Sequence, residues 1–600
     1  MQATTRPSGA LGLLYQRIPA LDSLRNYSLY DFRADLLAGL TVATVAVPQA
    51  MAYAIVAGLP PQYGLYTAIV MTAAGALFDS SRQLINGPTN AISIALLSAL
   101  ALVPPEARLQ AAVMLSVLVG TIQIGITLLQ LGDLTRYISH SVIVGFTVGA
   151  SVLLVLDQLK NLLGMKAMGD PHTAFLSRFW ETMTQGGPVH MATLECGLAA
   201  IAIVLLLRAL KTVLGFKLFP ELLTTVCVMA AAAAWLELDK QGVKLVGEIP
   251  GDLPHFALPV FDTTYLRPLA SSALALATLG LLEAISMAKL IASVSRQKLD
   301  INQQCLSEGV ANLTGSFFQC FPGSGSLTRS AINTQAGAVS QWSGVISAIA
   351  VAAIMMMFAP YARFIPKAAM AGILMLTAWK MIDWTSLRYH IRASRFDAVI
   401  VAVTAISAIA VSVEFCVLIG VFLSFLLTVP RTGHMQLTEF VVTPEGVIHE
   451  RFEDDVLCGR IQIYGLEGEM FFGSATPFED HLDTIEARIQ PTTRAIVLRM
   501  KRVRSPDAVC MRLLDEHVAR IQKRGVQVIL VGVRKDLAEA LDRTGLDQRL
   551  GETHIFYEQP IRHTSTQKGV QFAFGFMGDP CGTCPLKDSN LHTRTVHYSV

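Results

Sequence analysis

Between residues 33 and 430 the sequence is a succession of apolar stretches separated by short loops, and nothing else in the chain constrains its fold as strongly. A helix needs about 20 mainly apolar residues to cross a bilayer. Ten stretches approach or exceed that length: 36–57, 107–130, 140–163, 190–210, 218–236, 270–293, 341–358, 366–382, 395–412 and 414–430. Hydrophobic residues make up 52% of the 600 and charged residues 15%, against about 25% charged in an ordinary soluble protein. A soluble core cannot absorb so much apolar sequence, so most of the chain is expected in lipid. The same composition excludes disorder, collagen and coiled coil. A formal net charge of +2 provides no field to attract nucleic acid. Nine cysteines, several of them inside apolar runs (Cys196, Cys227, Cys416), do not form a disulfide framework. The first 30 residues hold no continuous apolar stretch of the kind a cleaved signal peptide carries.

Four further segments are apolar but short or interrupted: 63–79, 88–103, 304–318 and 328–338. Two of them open on small, helix-breaking residues. Gly87-Pro88-Thr89-Asn90 precedes one, and Gly323-Ser324-Gly325-Ser326-Leu327-Thr328 precedes the other. Interrupted helices at corresponding places in two halves point to the midplane binding site of a secondary transporter. The total becomes fourteen segments, seven per half, with Gln49 in the first run and Glu283 in the eighth as a faint echo of one another. An even number puts both termini on one side. With that side taken as cytoplasm, the short inner loops carry Arg82, Arg136, Arg208, Lys211, Lys217, Arg296, Lys298, Arg388, Arg392 and Arg395. The short outer loops carry only Arg108, Arg363 and Lys367. Lys/Arg bias in short loops sets orientation, so both termini are expected inside.

Three places within the apolar region carry chemistry. Glu283 lies deep in a spanning segment, where a charge costs about 2.5–3.5 kcal/mol to insert. It is expected to face a cavity, a partner or an ion. Desolvation favours its neutral form and a neighbouring arginine its charged form, which makes it a candidate proton carrier. The plainer reading is a structural carboxylate paired with Lys289 or kept neutral by burial. Arg329 opens a short helix after the Gly/Ser turn, where unpaired N–H groups already carry about half a positive charge. If the start at Thr89 faces the start at Thr328, two helix dipoles and one guanidinium converge on an anion site. The plainer reading has Arg329 neutralising Glu283. Gln49 and Tyr53, in Pro48-Gln49-Ala50-Met51-Ala52-Tyr53, stand four apart on one helical face. They are candidate ligands, or simply the interhelical hydrogen bonds that polar residues make in membranes.

These residues fall within a broader pattern. Val47-Pro48-Gln49-Ala50-Met51-Ala52-Tyr53-Ala54, followed by Ala57-Gly58-Leu59-Pro60-Pro61-Gln62-Tyr63-Gly64-Leu65-Tyr66, resembles the signature of the sulfate permease family (SulP, solute carrier family 26). So do Ser81-Arg82-Gln83 with Gly87-Pro88-Thr89, Gly145-Phe146, Glu283 to Lys289, and Ser326 to Asn333. The resemblance spans about residues 30–560. It implies a mostly α membrane protein of fourteen transmembrane segments, in two inverted seven-segment repeats that form core and gate domains. It also implies an elevator-like anion transporter, usually dimeric, with a cytoplasmic α/β STAS domain. Carried over by motif, the anion site would comprise Gln49, Tyr53, Thr89, Asn90, Thr328 and Arg329, with Glu283 at the coupling position. Sodium-coupled bicarbonate members resemble Asp-x-x-x-Thr in the eighth helix. Here the spacing is Glu283-Ala-Ile-Ser-Met287, and a thioether is a poor ligand for a hard cation. Proton coupling or exchange is therefore expected instead of sodium.

The layout expected is a cytoplasmic segment at 1–32, a transport domain at 33–430, the STAS domain at 431–560 and a polar tail at 561–600. In the soluble part 456–464, 495–500 and 526–533 read as strands, and 476–489, 507–523 and 536–543 as helices, an α/β alternation. Met470 to Ala475 matches the usual second strand and turn of a STAS domain. STAS regulators of sigma factors carry a phosphorylated Ser/Thr two residues after an Asp, and here Asp507-Ala508-Val509 puts valine there. Cys581 and Cys584 with His592 and His597 have the chemistry of a zinc site but not its spacing, and an unstructured tail is preferred. No metal or cofactor is expected. The chain holds no P-loop, so neither an enzyme nor an ATP-driven pump is expected. The partners expected are a small anion (sulfate, bicarbonate or a dicarboxylate), protons, lipid and a second copy of the chain, in the cell's inner membrane. The rival reading is a membrane-anchored STAS signalling or scaffold protein with a vestigial pore. Gln49, Glu283 and Arg329 argue against it, because a dead pore has no need of costly charges in lipid.

Overall fold

A helix stands in each of the fourteen apolar segments. In chain order they are α1 (Leu29–Val56), α2 (Pro61–Phe78), α3 (Asn90–Ala99), α4 (Arg108–Leu128), α5 (His140–Leu163), α6 (Met191–Leu214) and α7 (Glu221–Trp235). The second series is α8 (Thr263–Ser295), α9 (Ile301–Ser316), α10 (Leu327–Gln335), α11 (Trp342–Ala362), α12 (Lys367–Met381), α13 (Arg395–Ala410) and α14 (Val413–Thr432). The computed structural model describes residues 17–101, 103–130, 139–169, 173, 175–215, 219–260, 263–411, 413–443, 446–561, 563–576 and 597–598. Among these, α1, α4, α5, α6, α8, α11 and α14 are long and apolar enough to cross a membrane. By contrast α3 and α10, of 10 and 9 residues, rise only about 15 Å, roughly half the hydrocarbon thickness. Two amphipathic helices, Phe175–Gln185 and Trp384–Ala393, occupy stretches expected to be loops. Their apolar residues are too sparse for a hydropathy scan to register.

The chain divides into two compact units, Met1–Ser424 and Phe425–Val600. In the first, the two half-length helices are preceded by two two-residue strands, β1 (Asn86–Gly87) and β2 (Ser324–Gly325), which pair antiparallel. Asn86 faces Gly325 and Gly87 faces Ser324. The Ser326 N–H donates to the Ile85 carbonyl at 2.8 Å, and the Ile85 N–H donates to Ser330 Oγ at 2.9 Å, extending the pairing at its Ile85 end. Glycine is required here twice. Gly87 has φ +137°, which L side chains rarely adopt, and a Cβ on Gly323 would lie 2.5 Å from the Gly87 carbonyl oxygen.

The second unit is a seven-stranded sheet in the order β8-β7-β6-β5-β3-β4-β9. The strands are β3 (Gln436–Val442), β4 (Val447–Glu450), β5 (Ile461–Glu469), β6 (Ala495–Arg504), β7 (Gln527–Val533), β8 (Ile555–Tyr557) and β9 (His597–Tyr598). β5 to β8 run parallel, while β3 pairs antiparallel with both β4 and β5. Alternate residues face opposite sides of the sheet. Ile496, Leu498 and Met500 pack with α15 (Ala475–Ala487), α16 (Ala508–Lys523) and α17 (Lys535–Thr544), whereas Ala495, Val497 and Ile529 pack with α19 (Thr564–Phe574). The short α18 (Leu546–Leu550) closes the first of these cores.

The structure corrects the sequence reading in three places here. The first parallel strand covers 461–469, not 456–464. Met470 to Ala475 is not a strand, because Phe472–Ser474 forms a 3-10 turn held by Ser474, whose Oγ accepts from the Phe471 N–H at 3.1 Å. Within the segment taken as a polar tail, α19 is folded, with Val570 and Ala573 fully buried. Cys581, Cys584 and His592 lie outside the described residues.

Candidate functional site

Capping side chains mark where α3 and α10 begin. Thr89 is extended (φ −118°, ψ 157°) and its Oγ1 accepts from the Ile92 N–H, an N-cap that satisfies one orphan donor. The opposing cap is Ser326, not Thr328, because Ser326 has the extended backbone (φ −90°, ψ 121°) and accepts from the Arg329 N–H. Thr328 and Arg329 therefore lie in the first turn of α10. The β1–β2 pair brings the two starts close together.

Arg329 is 1% exposed. Its Nη2 donates to the Pro88 carbonyl at 2.9 Å, and a Cβ on Gly87 would stand 2.9 Å from its Nη1. The guanidinium thus leans on the strand that ends at the other helix start. Tyr53 on α1 and Glu283 on α8 are the titratable side chains near enough to act on it. Glu283 does not form the ion pair with Arg329 or Lys289 that the plainer reading proposed. Its Oε2 accepts from Thr89 Oγ1–H at 3.0 Å, and among the described residues no ion pair within 4.0 Å reaches it. The cap of α3 and the carboxylate of α8 are therefore one hydrogen-bonded unit.

Gln49 and Asn90 are each 3% exposed. Both amide atoms of Gln49, Nε of Arg329 and Oδ1 of Asn90 have no hydrogen-bond partner among the described residues. Asn90 Nδ2 meets Met381 Sδ at 3.1 Å. Gln49 and Thr328 line a cavity of about 470 Å³ whose other walls carry Arg208, Lys211, Lys380 and Glu221. The wall thus carries three cations against one carboxylate, to which Lys211 Nζ donates at 2.9 Å and near which Arg208 stands at 3.9 Å. The expected residues thus fall into two groups. Thr89, Glu283, Arg329 and Tyr53 lie around the paired helix starts, and Gln49 and Thr328 open onto the basic cavity.

The sequence reading missed a second polar cluster behind this site. Asp79 accepts from Asn86 Nδ2 (3.1 Å), Gln304 Nε2 (2.6 Å) and Ser307 Oγ (2.7 Å). Asn312 clasps the strand before α10, accepting from the Gly323 N–H at 3.0 Å and donating to the Gly323 carbonyl at 3.2 Å. Glu308 sits between them, fully buried. A signal existed, since Glu308 is a lone acid in the apolar segment 304–318, the same criterion that singled out Glu283. The basic wall had a weaker signal: Arg208 and Lys211 stand three apart on α6, but Lys380 comes from α12, far away in the chain.

A helical membrane unit with paired half-length helix starts, joined in one chain to an α/β domain, defines a class of membrane transport protein. The chain belongs to the sulfate permease family, whose profile matches residues 32–404, and the STAS domain profile matches residues 457–559. It is 30% identical over 538 residues to YvdB of Bacillus subtilis (strain 168), covering 89% of this chain and 97% of that one. It is 28% identical over 581 residues to "Sulfate transporter 4.1, chloroplastic" of Arabidopsis thaliana, covering 92% and 82%. The fold matches that of the murine solute carrier 26 family member A9 anion transporter, with a TM-score of 0.85 at 22% identity, covering 96% of this chain and 97% of that one.

Proposed function

We propose that the chain is a secondary active transporter of a small oxyanion, sulfate first among them. It works in the cell's inner membrane as a homodimer with both termini inside, moving its core by an elevator-like step and driven by protons or by exchange. The observation that carries this reading is the fully buried guanidinium of Arg329, in the first turn of α10 and bonded to the Pro88 carbonyl just before the start of α3. Each start offers unpaired N–H groups and about half a positive charge, and together they favour an anion over any other small ligand. An oxyanion between α3 and α10 would accept from the Arg329 guanidinium, the Gln49 amide and the Tyr53 hydroxyl. Thr89, Asn90 and Thr328 would complete its surroundings. The basic wall of Arg208, Lys211 and Lys380 would raise the local anion concentration at the mouth. Sulfate is favoured because several relatives carry it in their printed names, among them YvdB, the Arabidopsis protein and "Low affinity sulfate transporter 3" of Stylosanthes hamata, 26% identical.

Glu283 is assigned the coupling role. Its link to Thr89 lets it sense whether an anion occupies the α3 start. A bound anion cancels part of the positive field of Arg329 and the helix dipoles, so Glu283 then takes a proton more readily. By linkage, protonation tightens anion binding. The test is uptake and counterflow in proteoliposomes with sulfate, bicarbonate, chloride and a dicarboxylate, with and without a pH gradient, and with sodium replaced by potassium. Wild type should accumulate sulfate on an inward proton gradient and be indifferent to sodium. Glu283→Gln should keep exchange and lose gradient-driven accumulation. Sodium-dependent uptake, or accumulation surviving in the Gln variant, would remove Glu283 from coupling.

A further inference from the structure

Glu308 stands in the middle of α9 with none of its surface exposed, and among the described residues neither of its carboxyl oxygens has a hydrogen-bond partner. Gln304 and Asn312, one turn to either side, share its helical face. Both are engaged elsewhere. The Gln304 amide donates to Asp79 Oδ1 at 2.6 Å, and the Asn312 amide donates to Gln123 Oε1 at 3.0 Å and to the Gly323 carbonyl. The charged groups acting on Glu308 are Asp79 and Glu283, both of its own sign. The helices packed around α9 add only Tyr63 and Tyr66 on α2, Arg108 at the first residue of α4, and Tyr265, Arg267 and Lys289 on α8 as titratable side chains. None of these is among the groups that act on it. A carboxylate at this position would be stripped of water and exposed to repulsion from two like charges, with the Gln304 amide, already committed to Asp79, as the one donor near enough to oppose this, and the balance favours the neutral acid.

We propose that Glu308 is a second proton-binding site, protonated in this conformation, whose ionisation is coupled to the charge on Glu283. Asp79, with three donors, is better placed than Glu308 to hold the negative charge of this cluster, and Glu308 is the member assigned the proton. Because Glu283 and Glu308 repel when both are ionised, a proton arriving on Glu283 eases the release of the one on Glu308, and the reverse holds equally. The consequence for uptake rests on the transport reading, whereas the protonation itself does not.

Infrared difference spectra of the whole protein in lipid nanodiscs, in H2O and D2O, resolve protonated carboxyl groups by their C=O stretch. At neutral pH wild type should show a protonated-carboxyl band that is missing from Glu308→Gln and from Glu308→Met. In Glu283→Gln, with one repelling charge gone, that band should titrate away at a pH lower than in wild type by about one unit, a tenfold change in the proton equilibrium. Equal band intensity in wild type and both Glu308 variants would overturn the assignment, and so would an unshifted titration in Glu283→Gln. Replacing a neutral acid by a neutral side chain of similar shape is close to neutral for folding, so both variants should insert at wild-type levels. Failure of both to insert would mean a paired, ionised carboxylate and would equally overturn the proposal. A protein that moved no anion would still show the band, which separates this assignment from the transport reading.

Discussion

Arg329 bonds its neighbour's backbone at Pro88 and still has an unpartnered Nε. Substituting it should therefore cost ligand affinity more than fold. A charge-assisted hydrogen bond is worth about 1.5–3 kcal/mol, or roughly ten- to a hundred-fold in Kd. Arg329→Ala should weaken sulfate binding by that factor in equilibrium binding to detergent-purified protein while inserting normally, and near-wild-type affinity would take Arg329 out of the site. Another residue-scale effect lies in the soluble unit. His517 on α16 is fully buried and burial pushes its imidazole down to about 4, with Glu486 opposing only weakly. The unfolded chain takes up the proton near pH 6.5 and the folded one does not, so the stability that depends on neutral His517 is present above pH 6.5 and drains away as pH falls towards 4. The loss amounts to about 2–4 kcal/mol across that window. Hydrogen exchange of the β6 and β7 amides should accelerate between pH 6.5 and 4, after correction for intrinsic rates, and His517→Leu should flatten that dependence.

At the scale of elements, the site depends on how closely β1 and β2 approach. The atom that a Cβ on Gly323 would strike is a main-chain oxygen, which cannot rotate away. Gly323→Ala must part the strands and with them the starts of α3 and α10. Overpacking of this kind costs about 1–3 kcal/mol, and the two helix dipoles would no longer converge. Sulfate affinity should fall roughly ten-fold or more, with the protein still inserted. A Cβ added to Gly125 on α4 would meet nothing within 4 Å, so Gly125→Ala is the matched control and should bind sulfate like wild type. Equal affinities for the two variants would show that the strand pair does not hold the site.

Over the whole molecule, the transport proposal assigns selectivity to the membrane unit, and the soluble unit has its own two-sided core. Ending the chain at residue 576 removes the cysteine pair and the two-residue edge strand β9 but keeps α19. Ending it at 563 also strips Val570 and Ala573 from the sheet. The longer truncation product should keep wild-type exchange protection in β6 and β7, whereas the shorter one should lose it. Deleting 435–600 should impair folding, assembly or rate. A counterflow panel should rank anions identically for all three, and a changed ranking would contradict this division of labour.

The sequence alone determined the fourteen helical segments, because the length and apolarity that a membrane helix needs are local properties, legible within one window of residues. It also exposed Glu283 and Arg329, since a lone charge in an apolar run is conspicuous wherever it sits. The α/β character of the soluble unit was equally legible, but not its strands β3, β4 and β8 or the packing of α19, which depend on neighbours supplied by other segments. Only the tertiary structure decided which polar residues meet. Thr89 finds Glu283 194 positions away, and Arg329 finds the Pro88 carbonyl 241 positions away. It moved the α10 cap from Thr328 to Ser326, because capping follows from backbone angles that no residue type dictates. It also left Glu308 beside two like charges and without a hydrogen-bond partner among the described residues, a circumstance that no pattern along one helix records, because desolvation and repulsion are set by what packs around a side chain in three dimensions.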